Sequence, residues 1–177
     1  MASLNEHAKV LRASTLKDLP EIMRIIDEAR ESINRLGIVQ WTDRYPASKH
    51  IQHDIEQGWS YVLVDQAGKI LATEAVSFDG DPSYETIEGH DWLYEGAYAT
   101  VHRLAVDPAY RGQGLSALLF AGAEALAVAR GIKIVRVDTH EGNVPMKRAL
   151  ERNGYERRGM IHLEDGALRR AYEKLIP

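Results

Sequence analysis

The segment with the clearest chemical potential is a glycine-containing loop, Arg111-Gly112-Gln113-Gly114-Leu115-Ser116, which separates an apolar strand from a long apolar helix. Glycine lets the main chain approach a ligand closely and adopt a positive φ. The first turn of a helix offers N–H groups that have no partner within the helix, and the helix dipole favours an anion there. Arg111 adds a positive charge beside these groups. The combination predicts that a phosphate group binds at this loop.

Two common phosphate-binding motifs do not match the loop. A Walker A motif ends in Gly-Lys-Ser/Thr, whereas Gly114 is followed here by Leu115 and Ser116. A dinucleotide fingerprint needs a third Gly or Ala and a parallel repeat of strand and helix, and the sequence shows neither. A nucleotide-phosphate-binding transferase, such as a small kinase, stays as an alternative. The lack of a Walker lysine and of an obvious pair of Mg²⁺-binding carboxylates weighs against it.

Over about residues 97 to 160 the chain resembles the GCN5-related N-acetyltransferase (GNAT) family. The family pattern is Arg/Gln-x-x-Gly-x-Gly/Ala after a strand that ends in Leu-Ala-Val-Asp-Pro. It corresponds to the segment from Arg111 to Ser116, with Ser in place of the final Gly or Ala. A second landmark is an Asn that caps the next helix, followed by a Gly–aromatic pair at its end. Here these are Asn143 and Gly154-Tyr155, at the family spacing.

The resemblance implies that the chain uses acetyl-CoA as a co-substrate. The backbone of Leu104, Ala105 and Val106 would lie along the pantetheine arm as an added strand would, and the amide near Leu104 would polarise the thioester carbonyl. The side chain of Asn143 would contact the cofactor, although an ordinary helix cap explains this residue equally well. The resemblance also implies which residues would hold the pyrophosphate of the cofactor: Arg111, Gly112, Gln113, Gly114, Leu115, Ser116 and Ala117.

The implied reaction is acetyl transfer to the primary amine of a small molecule or a peptide. A lysine-like amine has a pKa near ~10.4, so it must lose a proton before or during attack. Because the sequence has no cysteine, we expect direct transfer in a ternary complex. Many family members carry a Tyr general acid where this chain has Leu150, which leaves Tyr155, Tyr172 or water for that role. Because Leu150 replaces this Tyr, a non-catalytic sensor that binds acyl-CoA remains an alternative function.

Two candidates for the general base lie on strands that flank the expected site. Asp138 ends the strand before the loop to Asn143, where the resemblance places an acid; a carboxylate that only caps the turn is the alternative. His102 shares a strand face with Leu104 and Val106. A histidine near its ordinary pKa of ~6.5 can accept a proton at neutral pH. The alternative is that His102 is an ordinary core histidine whose ring nitrogens are hydrogen-bonded within the protein.

Two further candidates come from their neighbours in the sequence. His140 lies in the loop beside Asp138, so the two could form an Asp–His pair. Glu74 interrupts an apolar strand, and a buried carboxylate is costly unless it is paired. We therefore expect Glu74 to face a cleft with Arg103 as its partner, or else to be solvated at an edge of the sheet.

The acceptor side is predicted from aromatic and acidic residues. Trp41 and Tyr45 are candidates, as is segment 79–95, whose six acids could attract a cationic amine; an ordinary soluble loop is the alternative. The Arg157-Arg158 and Arg169-Arg170 pairs are interpreted as surface charge. His50 and His53 could hold a metal, but a solvated helix face explains them better, and no metal site is expected.

These residues are positioned by a predicted order of strand, two helices, three strands, helix, strand, helix and two strands. The expected fold is one α/β domain over residues 1–177, a GNAT-like twisted mixed sheet that is largely antiparallel, with helices on both faces. Hydrophobic periodicity and turn residues define these elements. Their predicted positions are about 9–13, 15–37, 48–57, 59–64, 70–78, 97–106, 115–131, 133–138, 143–154, 155–163 and 168–175.

Composition limits the remaining classes of function. The absence of cysteine excludes disulfides, Cys-type zinc sites and iron–sulfur clusters. A formal charge of −4 gives no support for nucleic-acid binding. The N-terminal residues have no apolar secretory core, and the longest apolar stretch, Ala117 to Ala129, contains Glu124 and is too short to cross a bilayer. We expect a cytoplasmic protein without a membrane or nucleic-acid partner, and a homodimer is left open.

Overall fold

The computed structural model describes residues 8–177, in which seven strands and four α-helices follow one another in the predicted order. The strands are β1 (Val10–Ala13), β2 (Ser60–Val64), β3 (Ile70–Ser77), β4 (Tyr98–Val106), β5 (Ile134–Thr139), β6 (Glu156–His162) and β7 (Leu168–Leu175). The helices are α1 (Leu19–Asn34), α2 (Ser48–Glu56), α3 (Leu115–Val128) and α4 (Val144–Arg152). None of the helices in residues 8–177 is both long and apolar enough to cross a membrane.

The strands form one open sheet in the order β1-β2-β3-β4-β5-β7-β6. Neighbouring strands are antiparallel except for β4 and β5, which are parallel. Strand β7 lies between β5 and β6. The second strand of the final hairpin therefore pairs with β5, and the first strand, β6, forms the edge of the sheet. The predicted mixed and largely antiparallel sheet is confirmed.

Helices cover both faces of this sheet because its central strands are apolar on both sides. Along β2, Val62 packs with the helices α1 and α2, whereas Tyr61 points to the opposite face and packs with α3 and α4. Helix α1 presents Ile22, Ile25 and Ile26 to the sheet, and all three are fully buried. Their i, i+3, i+4 spacing forms a single apolar stripe, and each buried side chain contributes about 1.5–3 kcal/mol.

A β-bulge interrupts the pairing of β3 with β4. Glu74 of β3 stands opposite two residues of β4, Arg103 and Leu104. The register on either side of the bulge is Thr73–Ala105 and Ala75–His102. Arg103 has a φ of +53°, a conformation that non-glycine residues rarely adopt. The bulge bends the strand and changes the direction of its side chains at this point.

The parallel pairing of β4 with β5 stops before either strand ends. It runs from Tyr98–Ile134 to Val101–Val137, although β4 continues to Val106 and β5 to Thr139. Beyond the last pair the two strands separate, and residues 102–106 keep a partner strand on the β3 side only. The sheet is therefore split between its fourth and fifth strands.

The acidic segment between β3 and β4 is anchored to the sheet, although five of its six acids are exposed. It contains a short 3₁₀ turn, Pro82–Tyr84, whose Tyr84 is buried. The indole N–H of Trp92 donates a 2.9 Å hydrogen bond to the carbonyl of Tyr84. These contacts hold the segment over one face of the split sheet.

Candidate active site

A cleft of about 510 Å³ opens where β4 and β5 separate. His102, Asp138 and Arg169 line it from the sheet face that carries α1 and α2, and Leu104 and Met146 line it from the opposite face. Residues from both faces can border one cleft only because the sheet is split there. Two reactants can therefore approach each other through the sheet from opposite sides. The predicted acceptor-side residues Trp41 and Tyr45 also line the cleft.

Asp138 lies at the end of β5 and is held by a residue from the acidic segment. The hydroxyl of Tyr84 donates a 2.7 Å hydrogen bond to Oδ2 of Asp138. Burial raises the pKa of Asp138 above its ordinary value, while nearby His102, the Tyr84 hydrogen bond and Arg169 act in the opposite direction. The raised pKa gives this carboxyl group an increased proton affinity, which suits a group that takes part in proton transfer.

His102 lies beside Asp138 and contacts a second carboxylate. The two residues directly follow the last paired residues of β4 and β5, so their side chains share the α1/α2 face. Nε2 of His102 is 3.3 Å from Oδ2 of Asp81. Burial raises the pKa of Asp81, but the contact with His102 and the hydrogen bond from the Ser83 N–H outweigh it, and the net pKa is lowered. An anionic Asp81 favours the tautomer with a proton on Nε2, which leaves Nδ1 to accept one.

Arg103 uses its unusual backbone conformation to reach α2. Its Nη1 donates a 2.6 Å hydrogen bond to Oδ2 of Asp54, which is buried. The guanidinium carbon lies 5.4 Å from the centre of the Tyr45 ring, within the range of a cation–π contact. The predicted pairing of Arg103 with Glu74 is wrong, because the bulge turns the two side chains to opposite faces of the sheet.

Arg169 also lines the cleft, and its prediction as a surface charge is wrong. It is 7% exposed. Its terminal nitrogens donate hydrogen bonds to the carbonyls of Leu168 at 2.9 Å and Gln40 at 3.0 Å. Side chains alternate between the two faces of a strand, so Arg170 points the other way and bonds Glu141 at 2.6 Å. Arg170 is partly buried and paired with a carboxylate, whereas Arg169 is buried without one.

The glycine-containing loop before α3 presents a set of open main-chain amides. Gly112 and Gly114 have φ values of +76° and +73°, and α3 begins at Leu115. Within residues 8–177, the amides from 112 to 117 donate to no hydrogen-bond acceptor. Arg111 is exposed beside them and donates to the hydroxyl of Ser32. Several unpaired N–H groups at a helix N-terminus suit a diphosphate.

Asn143 caps α4 and also bonds the loop after α1. Its Oδ1 accepts a 3.2 Å hydrogen bond from the Met146 N–H, and its Nδ2 donates a 2.9 Å bond to Oε1 of Gln40. The side chain is 5% exposed. The structure therefore places Asn143 as a helix cap that also fixes the loop after α1, and these two bonds use one of the two N–H donors of Nδ2 and one of the two lone pairs of Oδ1.

Two of the predicted base candidates are not brought into the cleft. Nδ1 of His140 accepts a 2.9 Å hydrogen bond from the Gly142 N–H, and Asp138 bonds Tyr84 instead, so the predicted Asp138–His140 pair does not form. Glu74 is 1% exposed on the α3/α4 face, and neither of its oxygens has a hydrogen-bond partner in the described chain. It is neither solvated nor lining the cleft.

The tyrosines considered as general acids lie away from the cleft. The hydroxyl of Tyr155 bonds Glu124 at 3.2 Å and that of Tyr172 bonds Glu151 at 3.4 Å. Leu150 is fully buried in the core. Among residues 8–177, no three His, Asp or Glu side chains are grouped so that they could hold a metal ion.

Asp81 and Tyr84 are the functional candidates that sequence reasoning did not single out. Both belong to a run of acids that resembles an ordinary solvated loop. The sequence feature that could have located them is the Asp81-Pro82 pair, because an Asp followed by Pro is typical of the start of a turn. Asp81 indeed accepts the Ser83 N–H at 2.8 Å to begin the 3₁₀ turn that carries Tyr84 inward.

Comparison with known proteins identifies the same architecture. The model of the acetyltransferase (GNAT) family matches residues 22–155. A GNAT-family acetyltransferase from Streptococcus agalactiae 2603 is 31% identical with a TM-score of 0.87 and 96% of each chain covered. A GNAT-family acetyltransferase from Listeria monocytogenes 4b F2365 is 20% identical, with a TM-score of 0.73 and 95% of each chain covered. The NatC complex bound to Gag peptide and CoA matches at 13% identity and a TM-score of 0.67, covering 96% of this chain and 99% of that one. No curated protein matches the chain.

Proposed function

Because the chain belongs to the acetyltransferase (GNAT) family, we propose that it transfers the acetyl group of acetyl-CoA to the primary amine of a small molecule or a peptide. The observation that carries the proposal is the cleft through the split sheet. On one face it presents Asp138 and His102, which suit an amine and its proton. On the other face it is apolar, and the open amides of the loop before α3 lie at the N-terminus of the helix that covers this face.

The residues on the second face fit acetyl-CoA. The amides from 112 to 117, together with Arg111, would hold the diphosphate through charge-assisted hydrogen bonds. The backbone of Leu104 and Val106 borders the gap between the strands, where it would pair with the amide groups of the pantetheine arm. Among the structural neighbours, the NatC complex contains bound CoA, which supports this use of the fold.

The other face would bind and deprotonate the amine. Asp138 pairs with the ammonium group and keeps it in the cleft. Nδ1 of His102 accepts one proton, and the imidazolium so formed is stabilised by Asp81. The neutral amine then attacks the thioester carbonyl, polarised by the Leu104 amide. A C–N bond forms, the C–S bond breaks, and the second amine proton passes to the leaving thiolate to give the CoA thiol. A thiol of pKa ~8.5 leaves without an obligatory general acid.

The test is an assay of thiol release from acetyl-CoA over polyamines, amino acids, aminoglycosides and peptides. We expect release that depends on the amine, and an Asp138→Asn variant whose kcat/KM for that amine falls at least about 10-fold while its Kd for acetyl-CoA is unchanged. Asp165→Asn, which removes an exposed acid from the same cleft, is the matched control and should retain activity.

Two results would contradict the proposal. Binding of acetyl-CoA without acetyl transfer to any amine would favour the acyl-CoA sensor. A thermal shift with ATP but none with acetyl-CoA would favour a nucleotide-dependent transferase, because a ligand that binds the folded state raises its stability.

A further inference from the structure

Two arginines of the described chain are buried, and only one of them has a carboxylate beside it. Arg136 is 6% exposed, and its Nε lies 3.0 Å from a carboxylate oxygen of Glu173. Arg169 is 7% exposed, yet within residues 8–177 no carboxylate oxygen lies within 4.0 Å of its guanidinium. A buried charge is normally paired, because its removal from water is costly. Arg169 therefore keeps a positive charge without an ion-pair partner.

The hydrogen bonds of Arg169 leave part of its guanidinium available. The carbonyls of Leu168 and Gln40 each accept one hydrogen bond from a terminal nitrogen. Arginine has five N–H donors, so three remain. Carbonyl groups stabilise the cation as dipoles but do not neutralise it. The available donors belong to a side chain that lines the cleft, where a planar anion could accept two of them side by side.

The position of Arg169 relative to Asp138 defines a small binding space. In the pairing of β5 with β7, Ala171 stands opposite Asp138. Arg169 is two residues from Ala171 and points to the same face, which makes it the diagonal neighbour of Asp138. Diagonal neighbours have side chains about 7–8 Å apart at their bases. A carboxylate and an unpaired guanidinium thus border one cleft at a separation that a small molecule can bridge.

Resting on the proposed function, we propose that the acceptor is a small amine that also carries a carboxylate, with its ammonium group on Asp138 and its carboxylate on Arg169. The two opposite charges of such a molecule match the two opposite charges of the cleft. The amine then lies on the side of His102, and the carboxylate lies away from the gap between β4 and β5.

A second cation on the acceptor is disfavoured by the same residues, although several acids line the cleft. Glu164 and Asp165 are exposed in the turn between β6 and β7, where solvent and salt screen their charges. Asp81 already contacts His102 and the Ser83 N–H. Arg169 is buried and has no ion-pair partner among the described residues, and its positive charge repels the second ammonium group of a diamine.

Matched pairs of ligands test the inference by calorimetric titration into the CoA-loaded protein. Each pair contains an amino acid and the amine left by its decarboxylation: leucine with isopentylamine, methionine with 3-(methylthio)propylamine, and ornithine with putrescine. For at least one pair we expect the amino acid to bind about 10–100-fold more tightly, the range for a charge-assisted hydrogen-bonded contact. Arg169→Gln should abolish this preference, and Arg169→Lys, which keeps the charge but loses the planar fork, should reduce it.

The control variant is Arg170→Gln. It removes the adjacent arginine, which faces the other side of β7 and bonds Glu141, and it should leave the preference intact. Unchanged affinity for CoA shows that each variant is folded, and the comparison in the wild-type protein holds even where a variant does not fold.

Three outcomes would overturn the inference: every amine binds as tightly as its amino acid, the preference survives in Arg169→Gln, or no member of any pair binds. Acetyl transfer confined to amines without a carboxylate would also overturn it while leaving the proposed function in place. Conversely, a preference that depends on Arg169 without any acetyl transfer would support the carboxylate site and contradict the transferase.

Discussion

The hydroxyl of Tyr84 donates a 2.7 Å hydrogen bond to Oδ2 of Asp138 and joins the acidic segment before β4 to the end of β5. Tyr84 is fully buried, and burial, followed by the negative charge of Asp138, raises its pKa well above the ordinary value. The hydroxyl therefore stays protonated and remains a donor at physiological pH. By engaging one oxygen of Asp138, it fixes the plane of the carboxylate that we assign to the amine.

Tyr84→Phe removes this hydrogen bond with little change in side-chain volume. Burial raises the pKa of Asp138 and the Tyr84 bond opposes that rise, so loss of the bond should raise the pKa further. Because Asp138 must be ionised to hold an ammonium group, the acidic limb of the pH profile of kcat/KM should move to higher pH. The profile of Tyr172→Phe, which loses a hydroxyl–carboxylate bond outside the cleft, should be unchanged. Identical profiles for wild type and Tyr84→Phe would mean that Asp138 is not the titrating group.

His102→Gln tests the assigned proton acceptor. Glutamine can keep a donor towards Asp81 but cannot accept a proton at neutral pH. We expect kcat to fall about 10²-fold or more, the usual contribution of a general base, while the Kd of acetyl-CoA stays within twofold. His162→Gln is the control, because His162 is exposed on β6, where it pairs with Glu88 outside the cleft. If both variants retained wild-type kcat, the base would have to be Asp138 or water.

Two glycines at opposite ends of α3 allow a matched test of the diphosphate site. Gly114 and Gly131 have φ values of +73° and +71°, and a Cβ atom at either would meet no other atom within 4 Å. A substitution therefore imposes a similar backbone strain at both positions. Gly114→Glu should abolish measurable binding of CoA, because it places a carboxylate among the amides that would hold the diphosphate. Gly131→Glu should bind CoA as the wild type does. Gly114→Ala separates the effect of charge from that of strain, and equal affinities for CoA in all three variants would exclude this loop as the site.

Local patterns predicted the fold because each element carries its own signal. The isoleucines of α1 repeat at helical spacing, and the segment Ile70 to Phe78 has the length and composition of a strand, so the order of elements follows from neighbouring residues alone. The split between β4 and β5 carries no such signal. It is a relationship between two strands that are distant in the sequence, and the residues of neither strand mark it.

The site was predicted only where its residues lie at the ends of regular elements. His102 was identified from strand alternation, and Asp138 from its place at a strand end where the family resemblance implies an acid. Asp81 and Tyr84 reach the site through a turn inside a 20-residue loop, whose path depends on tertiary packing. Arg169 was misjudged for a different reason, since period-two alternation in β7 would have placed it on the same face as the buried Ala171. The pattern was present, but the charge of the neighbouring Arg170 obscured it.

Two fully buried glutamates should respond in opposite ways to replacement by methionine. Glu173 pairs with Arg136 at 3.0 Å, so Glu173→Met leaves a buried cation without its partner and should cost about 3–5 kcal/mol of unfolding free energy. Glu74 has no hydrogen-bond partner for either oxygen in the described chain. Glu74→Met replaces an unsatisfied polar group by an apolar one of similar size, and should stabilise the protein by about 1–3 kcal/mol.

The pH dependence of the Glu74→Met effect identifies its cause. Burial raises the pKa of Glu74 well above its ordinary value, so the folded protein prefers the protonated acid. The stability associated with this group is complete below the pKa of the unfolded chain and is lost as pH rises through the higher pKa of the folded state. The gain in unfolding free energy should therefore be larger at pH 8 than at pH 5, as measured by urea denaturation. Acetyl transfer should persist in Glu74→Met, because Glu74 lies outside the cleft; a folded variant that binds acetyl-CoA but transfers nothing would instead make Glu74 the base.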